Sequence, residues 1–567
     1  MQRVGLGLVG RVAIAMWSLP AAATQDWGYQ GMVVSADAQS SAAGLAILQQ
    51  GGNAIDAAVA TTLAISVTEP QSAGIGGGGF LLMRSGQTGE IIALDFRERA
   101  PRTASATMYL DAQGKVRPRA STAGYLAVAV PGTISGLAVA HRQYGSLPWT
   151  TLVAPAIRLA ESGIPVSPSL AAAIARQQTL QQNPAAQKIF MRNGQPLAVG
   201  DRLIQTDLAR TLRRIAQDPQ DFYRGTIAQA IAQDMQANGG LIGLQDLQQY
   251  RTIQREPVCG AFQTYRVCSM PPPSSGGVHL LQMLNLLSVL EFPRLPRHDP
   301  KALHLLIETM RIAYRDRAEY LGDPDFTSVP VNALINPAYA ALRAPEIDRQ
   351  RARPSNQVKL TDPAMLQRLN RVKESADTSH LSVVDRAGNA VSLTFTVNLG
   401  FGAGVVTPGT GIVLNNEMDD FATAPGVPNA FGLVGNAANA IAPFKTPLSS
   451  MTPTIVTQGK DLRLVVGAPG GSTIITTVLQ VILNVLVYEM EIKRAIAAPR
   501  LHHQWVPDQV MLETHGFDPL TVQDLQRRGH TVQLRSGWGN AMGITRDSTG
   551  LLRGAADPRG DGAASGF

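Results

Sequence analysis

The sequence predicts an α+β fold whose layers come from two parts of the chain, divided near residue 377. Three observations carry this. Helical patterning dominates the first part, above all from Leu147 to Tyr250. Beyond Thr378 short strand-like runs alternate with Gly/Asn turns: "LSVVD", "AVSLTFTV", "GIVLNN", "TPTIVT" and "LRLVVG". No solenoid-period repeat or low-complexity segment interrupts either part, and 567 residues suffice for a large multilayer core.

The chain opens with "MQRVGLGLVGRVAIAMWSLPAAATQ". Arg3 and Arg11, a short apolar stretch from Val12 to Leu19, and the small residues after Pro20 form a secretory signal pattern over residues 1–23. The stretch is short for a bilayer span, so a cleaved leader comes first and an uncleaved anchor second. Export to the periplasm or the medium is the expected localisation. Two helices follow in "SADAQSSAAGLAILQQGGNAIDAAVATTLAISVTEP", the first stopped by Gly51-Gly52 and the second capped by Asn53. Gly74, Gly76 and Gly79 match a dinucleotide G-x-G-x-x-G. The strand-like "FLLMR" stands where that fingerprint needs a helix, so a tight backbone crossing is the reading. Ser167, with Pro168 behind it, and Asp207 are expected helix caps.

Cys259 and Cys268 bracket "GAFQTYRV", a hairpin turning near Gln263-Thr264 that sets the two cysteines opposite each other. A cross-strand disulfide in an oxidising compartment and a pair of buried thiols both fit. "MPPPSSGGVHLLQMLNLL" leads into a helix, and "IETMRIAYRDRAEYLGDPDF" forms another that ends at a Gly-Asp-Pro-Asp turn. A charged, weakly patterned tether from Ala352 to Asp377 then runs straight into the strand that begins at Thr378-Ser379-His380. After the later strands, "TIITTVLQVILNVLVYEM" is a helix, and "TVQLRS", "AMGITRD" and "LLRGAAD" close the chain as strands.

Several classes of function are disfavoured by pattern. The net charge is +7 and the pI about 9.5, but the basic residues are scattered, which points to solubility and not to nucleic acid. The nine histidines show no H-E-x-x-H, no zinc spacing with cysteine, and an adjacent pair, His502-His503, whose side chains point apart. No metal and no cofactor is expected. No G-x-S-x-G elbow is present.

Four segments offer chemistry. In "LRLVVGAPGGSTIITTVLQ" a strand ends, Gly470 and Gly471 follow, and a helix begins near Ser472. Backbone N–H groups there can serve an oxyanion, although the turn alone is first an ordinary strand-to-helix connection. "PLSSMTPT" offers the hydroxyls of Ser449 and Ser450. "NNEMDDF" offers Glu417, Asp419 and Asp420. Arg97 in "ALDFRERAP" is a candidate anion contact. Taken singly, the last three read as solvated loops and a surface ion pair.

Together these segments, with "QGGNAIDAAVA", "GGGGF", "VPGT", "MPPPSSGG", "YLGDPDF", "GVPNAFGLVG" and "APRLHHQW", resemble the γ-glutamyltranspeptidases over essentially the whole chain after the leader. The resemblance implies a four-layer αββα sandwich of the N-terminal nucleophile hydrolase type. It also implies a precursor that cuts itself at Asp377–Thr378 into a large subunit, 24–377, and a small one, 378–567, which stay together as a heterodimer. Thr378 is then the nucleophile. Its freed α-amine, with a reference pKa of about 8, supplies the base. Thr396 is implied to hold Thr378, and Gly470 and Gly471 to form the oxyanion hole. Arg97, Ser449 and Ser450 are implied to bind the α-carboxylate of a γ-glutamyl group, and Asn398, Glu417 and Asp420 its α-amine. The implied substrates are glutathione and other γ-glutamyl compounds, with water, amino acids or dipeptides as acceptors. Three positions depart from the common pattern. Phe431 stands in the lid, Pro425 to Asn436, where many bacterial members carry Tyr. Glu417 stands where many have Gln, and Asp377 precedes the nucleophile. A glutaryl or β-lactam side-chain acylase of the same fold, and an exported binding protein without catalysis, are the alternatives.

Overall fold

A computed structural model describes residues 25–358, 378–424 and 426–567. The leader, Asp377 and the first residue of the lid lie outside the described residues. The frame is built, in chain order, from β1 (Trp27–Gly28), β2 (Gly31–Ser35), α1 (Ala38–Gln49), α2 (Ala54–Thr68), β3 (Gly78–Arg84) and β4 (Ile91–Phe96). Next come α3 (Thr133–Tyr144), α4 (Trp149–Ser162), β5 (Ile253–Arg255), β6 (Val258–Phe262), β7 (Tyr265–Ser269), α5 (Gly276–Val289) and α6 (Pro300–Tyr320). The last part supplies β8 (Ser379–Asp385), β9 (Ala390–Thr396), β10 (Thr454–Gln458), β11 (Asp461–Gly467), α7 (Ile474–Leu486), β12 (Met542–Arg546), β13 (Leu552–Ala556) and β14 (Ala563–Gly566).

These strands form two antiparallel seven-stranded sheets. The first has the order β14-β2-β8-β9-β3-β4-β5, and the second β1-β13-β12-β11-β10-β7-β6. The sheets pack face to face. α1, α2 and α3 cover the first, and α5 and α7 the second, which makes the expected αββα sandwich. Both sheets mix strands from before and after residue 377. The central pair β8–β9 lies between β2 and β3, so neither half could satisfy its strand edges alone.

Strand periodicity explains the layering. Val33, Leu81, Leu94, Leu381, Val383 and Leu393 face the α1–α3 layer. Their neighbours Met32, Val34, Phe80, Leu82 and Val384 face the second sheet. Near Thr378 that inner face turns polar. His380 bonds Thr394 through Nδ1 at 2.8 Å and Ser382 through Nε2 at 3.1 Å. Burial pushes His380 down to about 3, so it is neutral.

Local expectations hold in most places. Asn53 caps α2 in a reciprocal box with Asp56. The glycine run is a tight crossing: a Cβ on Gly76 would stand 2.1 Å from the Val413 carbonyl oxygen, and one on Gly77 would stand 1.9 Å from that of Thr396. Cys259 faces Cys268 across the β6–β7 hairpin, and the two are joined by a disulfide. Ser167 caps the helix Pro168–Arg176 by accepting from the Leu170 N–H at 3.2 Å. The Asp207 expectation needs correction. The helix runs Thr206–Gln217 with Gln205 at its cap, and Asp207 sits in the first turn paired with Arg210. There its charge still complements the helix N-terminus. "GIVLNN" is strand only at Val413–Leu414, because the Asn415 side chain leaves the ladder to bond the Gly76 and Ala129 carbonyls at 2.8 Å each. Among the described residues no helix is long and apolar enough to cross a membrane.

Candidate active site

The β8–β9 register pairs Ser379 with Phe395. One step further, Thr378 at the head of β8 meets Thr396 at the end of β9, with their hydroxyl oxygens 3.4 Å apart. Thr396 Oγ1 also accepts from the Asn398 N–H at 2.8 Å, which fixes its rotamer. Asn398 has a positive φ of 77°, one of the conformations asparagine tolerates better than most residues, and its Nδ2 donates to the Asn416 carbonyl at 3.1 Å.

The second sheet supplies the facing wall. β11 ends at Gly467, and the chain turns through Gly470, φ 135°, and Gly471, φ 53°, into a 3₁₀ turn that leads to α7. N–H groups at such a helix start have no intrahelical acceptor. Gly471 lines the same cleft as Thr378, and Gly470 lies one residue behind it.

One small cleft brings together Arg97, Thr378, Thr396, Asn398, Glu417, Asp420, Phe431, Ser449, Ser450 and Gly471. Residues from both sides of position 377 therefore share one small space. "NNEMDDF" and Arg97 are not solvated: Arg97 and Glu417 are buried. Arg97 Nη1 lies 2.6 Å from Glu417 Oε1, Nη2 lies 2.5 Å from Asp420 Oδ2, and Nε donates to the Pro447 carbonyl at 2.9 Å. All three donor nitrogens of this guanidinium are thus engaged by the protein. Burial pushes the Glu417 carboxyl well above its ordinary range, against the pull of Arg97. Burial also raises the neighbouring Glu98, to about 7, again opposed by Arg97. Glu98 was not singled out from sequence. It shares the "DFRERAP" motif, but its contact with Glu417 is a tertiary one.

The Phe431 ring, in the segment expected to form a lid, lies against Gly471. Asn429 Oδ1 accepts from the N–H groups of Phe431 (3.0 Å) and Leu433 (3.1 Å), and its Nδ2 donates to Asp420 Oδ1 at 3.0 Å. Ala430 N–H donates to Asp419 Oδ2 at 2.8 Å, and Gln504 Nε2 to the Phe431 carbonyl at 3.2 Å. Burial raises Asp419 to about 6 in spite of these bonds. Phe431 contributes its ring alone, and amide groups on either side of it do the fastening.

Ser449 and Ser450 are held against "MPPPSSGG". Ser275 donates to the Ser449 carbonyl from both N–H (2.8 Å) and Oγ (2.7 Å), and Ser449 N–H donates to the Pro273 carbonyl at 2.8 Å. Arg317 and Tyr314 on α6 complete this wall, and the sequence reading passed over both. A clue was present: in the apolar stripe Leu306, Met310, Ala313, Tyr314, Arg317, Leu321, a single cation occupies an inward position.

Elsewhere among the described residues, His304, Glu308 and His530 bring ligating atoms close together. His304 Nδ1 bonds His530 Nε2 at 2.8 Å, and Glu308 pairs with Arg311 at 3.2 Å, which accounts for their proximity.

A threonine heading a central strand of an αββα sandwich, faced by a glycine turn from the opposite sheet, defines the class of N-terminal nucleophile hydrolases. Within that class the chain belongs to the γ-glutamyltranspeptidase family, whose model matches residues 40–567. It is 46% identical over 533 residues to the glutathione hydrolase proenzyme of Escherichia coli K12, covering 94% of this chain and 90% of that one. It is 39% identical over 547 residues to the acylase ACY 1 proenzyme of Pseudomonas sp. V22, covering 94% and 93%. Among solved structures, the cephalosporin acylase of Bacillus halodurans superposes with a TM-score of 0.83 at 31% identity, covering 98% of this chain and 99% of that one. The γ-glutamyltranspeptidase of Helicobacter pylori gives 0.56 at 41% identity, covering 57% and 94%.

Proposed function

We propose that the chain is the precursor of a γ-glutamyltransferase and glutathione hydrolase. It cleaves itself at Asp377–Thr378 and then transfers γ-glutamyl groups through a threonyl ester. The observation that carries this is the placement of Asp420 and Glu417, braced by Arg97, in the same cleft as Thr378. Carboxylates at that position suit an α-ammonium, which a γ-glutamyl group has and a glutaryl group lacks.

Cleavage gives subunits 24–377 and 378–567 and frees the Thr378 amine. That amine takes the hydroxyl proton, directly or through water, as Oγ1 attacks the γ-carbonyl. Thr396 holds the hydroxyl in line. The N–H groups of Gly470 and Gly471 receive the negative charge that develops on the carbonyl oxygen. The proton passes to the departing amine, which is cysteinylglycine when glutathione is the donor. Water or the amine of an amino acid or dipeptide then attacks the ester, gives up its proton to the Thr378 amine, and regenerates the hydroxyl. Asn398, Glu417 and Asp420 hold the donor's ammonium end, and Ser449 and Ser450, with Arg97 behind them, its carboxylate end. The leader and the Cys259–Cys268 disulfide support export to the periplasm or beyond.

The acylase reading draws on the ACY 1 and cephalosporin acylase relatives. Hydrolysis of γ-glutamyl and glutaryl 4-nitroanilides separates the two: the γ-glutamyl compound is expected to have the higher kcat/KM, and a preference for the glutaryl compound refutes the proposal. On a denaturing gel the purified protein should run as two bands of roughly 38 and 20 kDa, and Thr378→Ala as one. A single uncut band from both proteins would instead mark a binding protein.

A further inference from the structure

We infer that Arg317 is a positioning residue for the donor's α-carboxylate: it orients the Ser450 hydroxyl and adds a second positive charge behind it, beside that of Arg97, which is shared with Glu417 and Asp420. This rests on the γ-glutamyl reading above for the identity of the donor.

Arg317 lies on α6, one turn beyond Tyr314, whose hydroxyl donates to the Ser472 carbonyl in the glycine turn. The same helix face thus touches both the oxyanion turn and the serine pair. Arg317 is buried. Its Nε donates to Ser275 Oγ at 3.0 Å and its Nη2 to Ser450 Oγ at 3.3 Å. Among the described residues no carboxylate stands within ion-pair distance of it, and burial lowers its pKa to about 10. Buried arginines ordinarily carry a carboxylate partner, because a buried charge without one is poorly compensated. In the neighbouring cluster Arg97 has two such partners.

The hydrogen bonds fix directions. A guanidinium only donates, so Ser275 and Ser450 must accept from it. Ser275 spends its own proton on the Ser449 carbonyl. Ser450 Oγ, having accepted from Arg317, keeps its proton for the cleft that it lines. The chain guanidinium N–H to Ser450 O–H to ligand is polarised along its length and ends in a donor. The complementary ligand group is an anion, and the anionic end of a γ-glutamyl donor is its α-carboxylate. Its arrival compensates the buried charge without displacing Asp420 from Arg97.

The test uses the processed enzyme with Arg317→Met, Arg317→Lys, Ser450→Ala and the Met/Ala double variant, on γ-glutamyl and glutaryl 4-nitroanilides. Arg317→Met should raise KM for both donors by about 10- to 100-fold, the weight of a charge-assisted hydrogen bond, with kcat within about threefold. Arg317→Lys should recover part of that loss. In the Ser450→Ala background the same replacement should add less than about threefold, because the hydroxyl it acts through is gone. If the Met variant fails to cleave, the Lys variant carries the test, with a KM rise of about three- to tenfold expected. A fall in kcat at unchanged KM, multiplying effects in the double variant, or a KM equal to that of the parent enzyme in the variant tested would overturn the inference. A glutaryl preference in the parent enzyme would instead refute the γ-glutamyl reading. It would leave the Arg317 result to be read on the carboxylate that both donors share.

Discussion

Gly471→Ala tests whether the lid ring and the oxyanion turn are one mechanical unit. A Cβ on Gly471 would stand 2.3 Å from Phe431 Cδ1 and 2.5 Å from Cε1, where ordinary contacts begin near 3.4 Å. The ring must therefore retreat by about 1 Å. It cannot do so freely, because Asn429 holds the Phe431 N–H and Gln504 its carbonyl. Either the Phe431 segment lifts or the Gly471 N–H turns away from the oxyanion position proposed for it. A misplacement of about 1 Å, or loss of one oxyanion donor, lowers turnover by about 10² to 10³. The φ of 53° adds a left-handed backbone cost of about 1–2 kcal/mol for alanine, which falls on stability and reaches turnover only through any shift of the turn. The two terms separate in a Phe431→Ala background, where the overlap is gone and only the backbone term remains. The assay is kcat/KM on γ-glutamyl 4-nitroanilide, normalised to the cleaved fraction on a gel. Gly471→Ala should cost about 100-fold or more in the parent enzyme and less than about 30-fold beside Phe431→Ala. Equal factors in both backgrounds, or a loss below about threefold in the parent, would refute the coupling.

Asp420→Asn removes the acid proposed to face the donor's ammonium. It should lower kcat/KM for the γ-glutamyl anilide by about 100-fold and for the glutaryl anilide by far less, which a two-donor comparison reads directly. Glu308→Gln probes a buried carboxyl that burial raises from 4.5 to about 7. The folded state keeps a proton there that the unfolded state releases near 4.5. Its contribution is complete below that pH and is lost as the pH rises through 7, at about 1.4 kcal/mol per unit at the steepest. Urea unfolding of Glu308→Gln between pH 5 and 8 should show a flatter decline than that of the parent. Replacing both Cys259 and Cys268 by Ser should lower unfolding stability by about 2–3 kcal/mol at most, measured by the urea midpoint, and leave kcat/KM unchanged.

The elements legible in the sequence are those whose partners lie close in the chain. The "DRAGN" turn sets the β8–β9 register, and the register sets Thr378 against Thr396. The Cys259–Cys268 pairing follows from its own hairpin in the same way. Asn53 and Asp56 cap α2 with no help from elsewhere. Charged loops behave differently. Read locally, "NNEMDDF" is a run of acids that belongs in water. Its burial makes sense only once Arg97, more than 300 residues earlier, is placed between Glu417 and Asp420. The same holds for Arg317: on a helical wheel it is a lone cation in an apolar stripe, and its meaning depends on Ser275 and Ser450, which approach from two other segments. Asp207 is a smaller case, where a one-residue shift of the helix start moves a cap into the first turn.

The interleaving of strands across residue 377 has the same origin and a mechanical consequence. β8 and β9, which hold Thr378 and Thr396, are hydrogen-bonded on their outer edges to β2 and β3 from the first part of the chain. The Gly470-Gly471 turn follows β11, in a sheet whose β10 pairs with β7, again across the division. The proposed cut at residue 377 would therefore break none of the strand pairings among the described residues. Thr378 would gain a free amine while the strand it heads stays paired with β9 and β2. A nucleophile on a loop would move when cut. One at the head of a central strand, paired with β9 from Ser379 and with β2 from Leu381, would stay in place, and that is what the proposed self-cleavage requires.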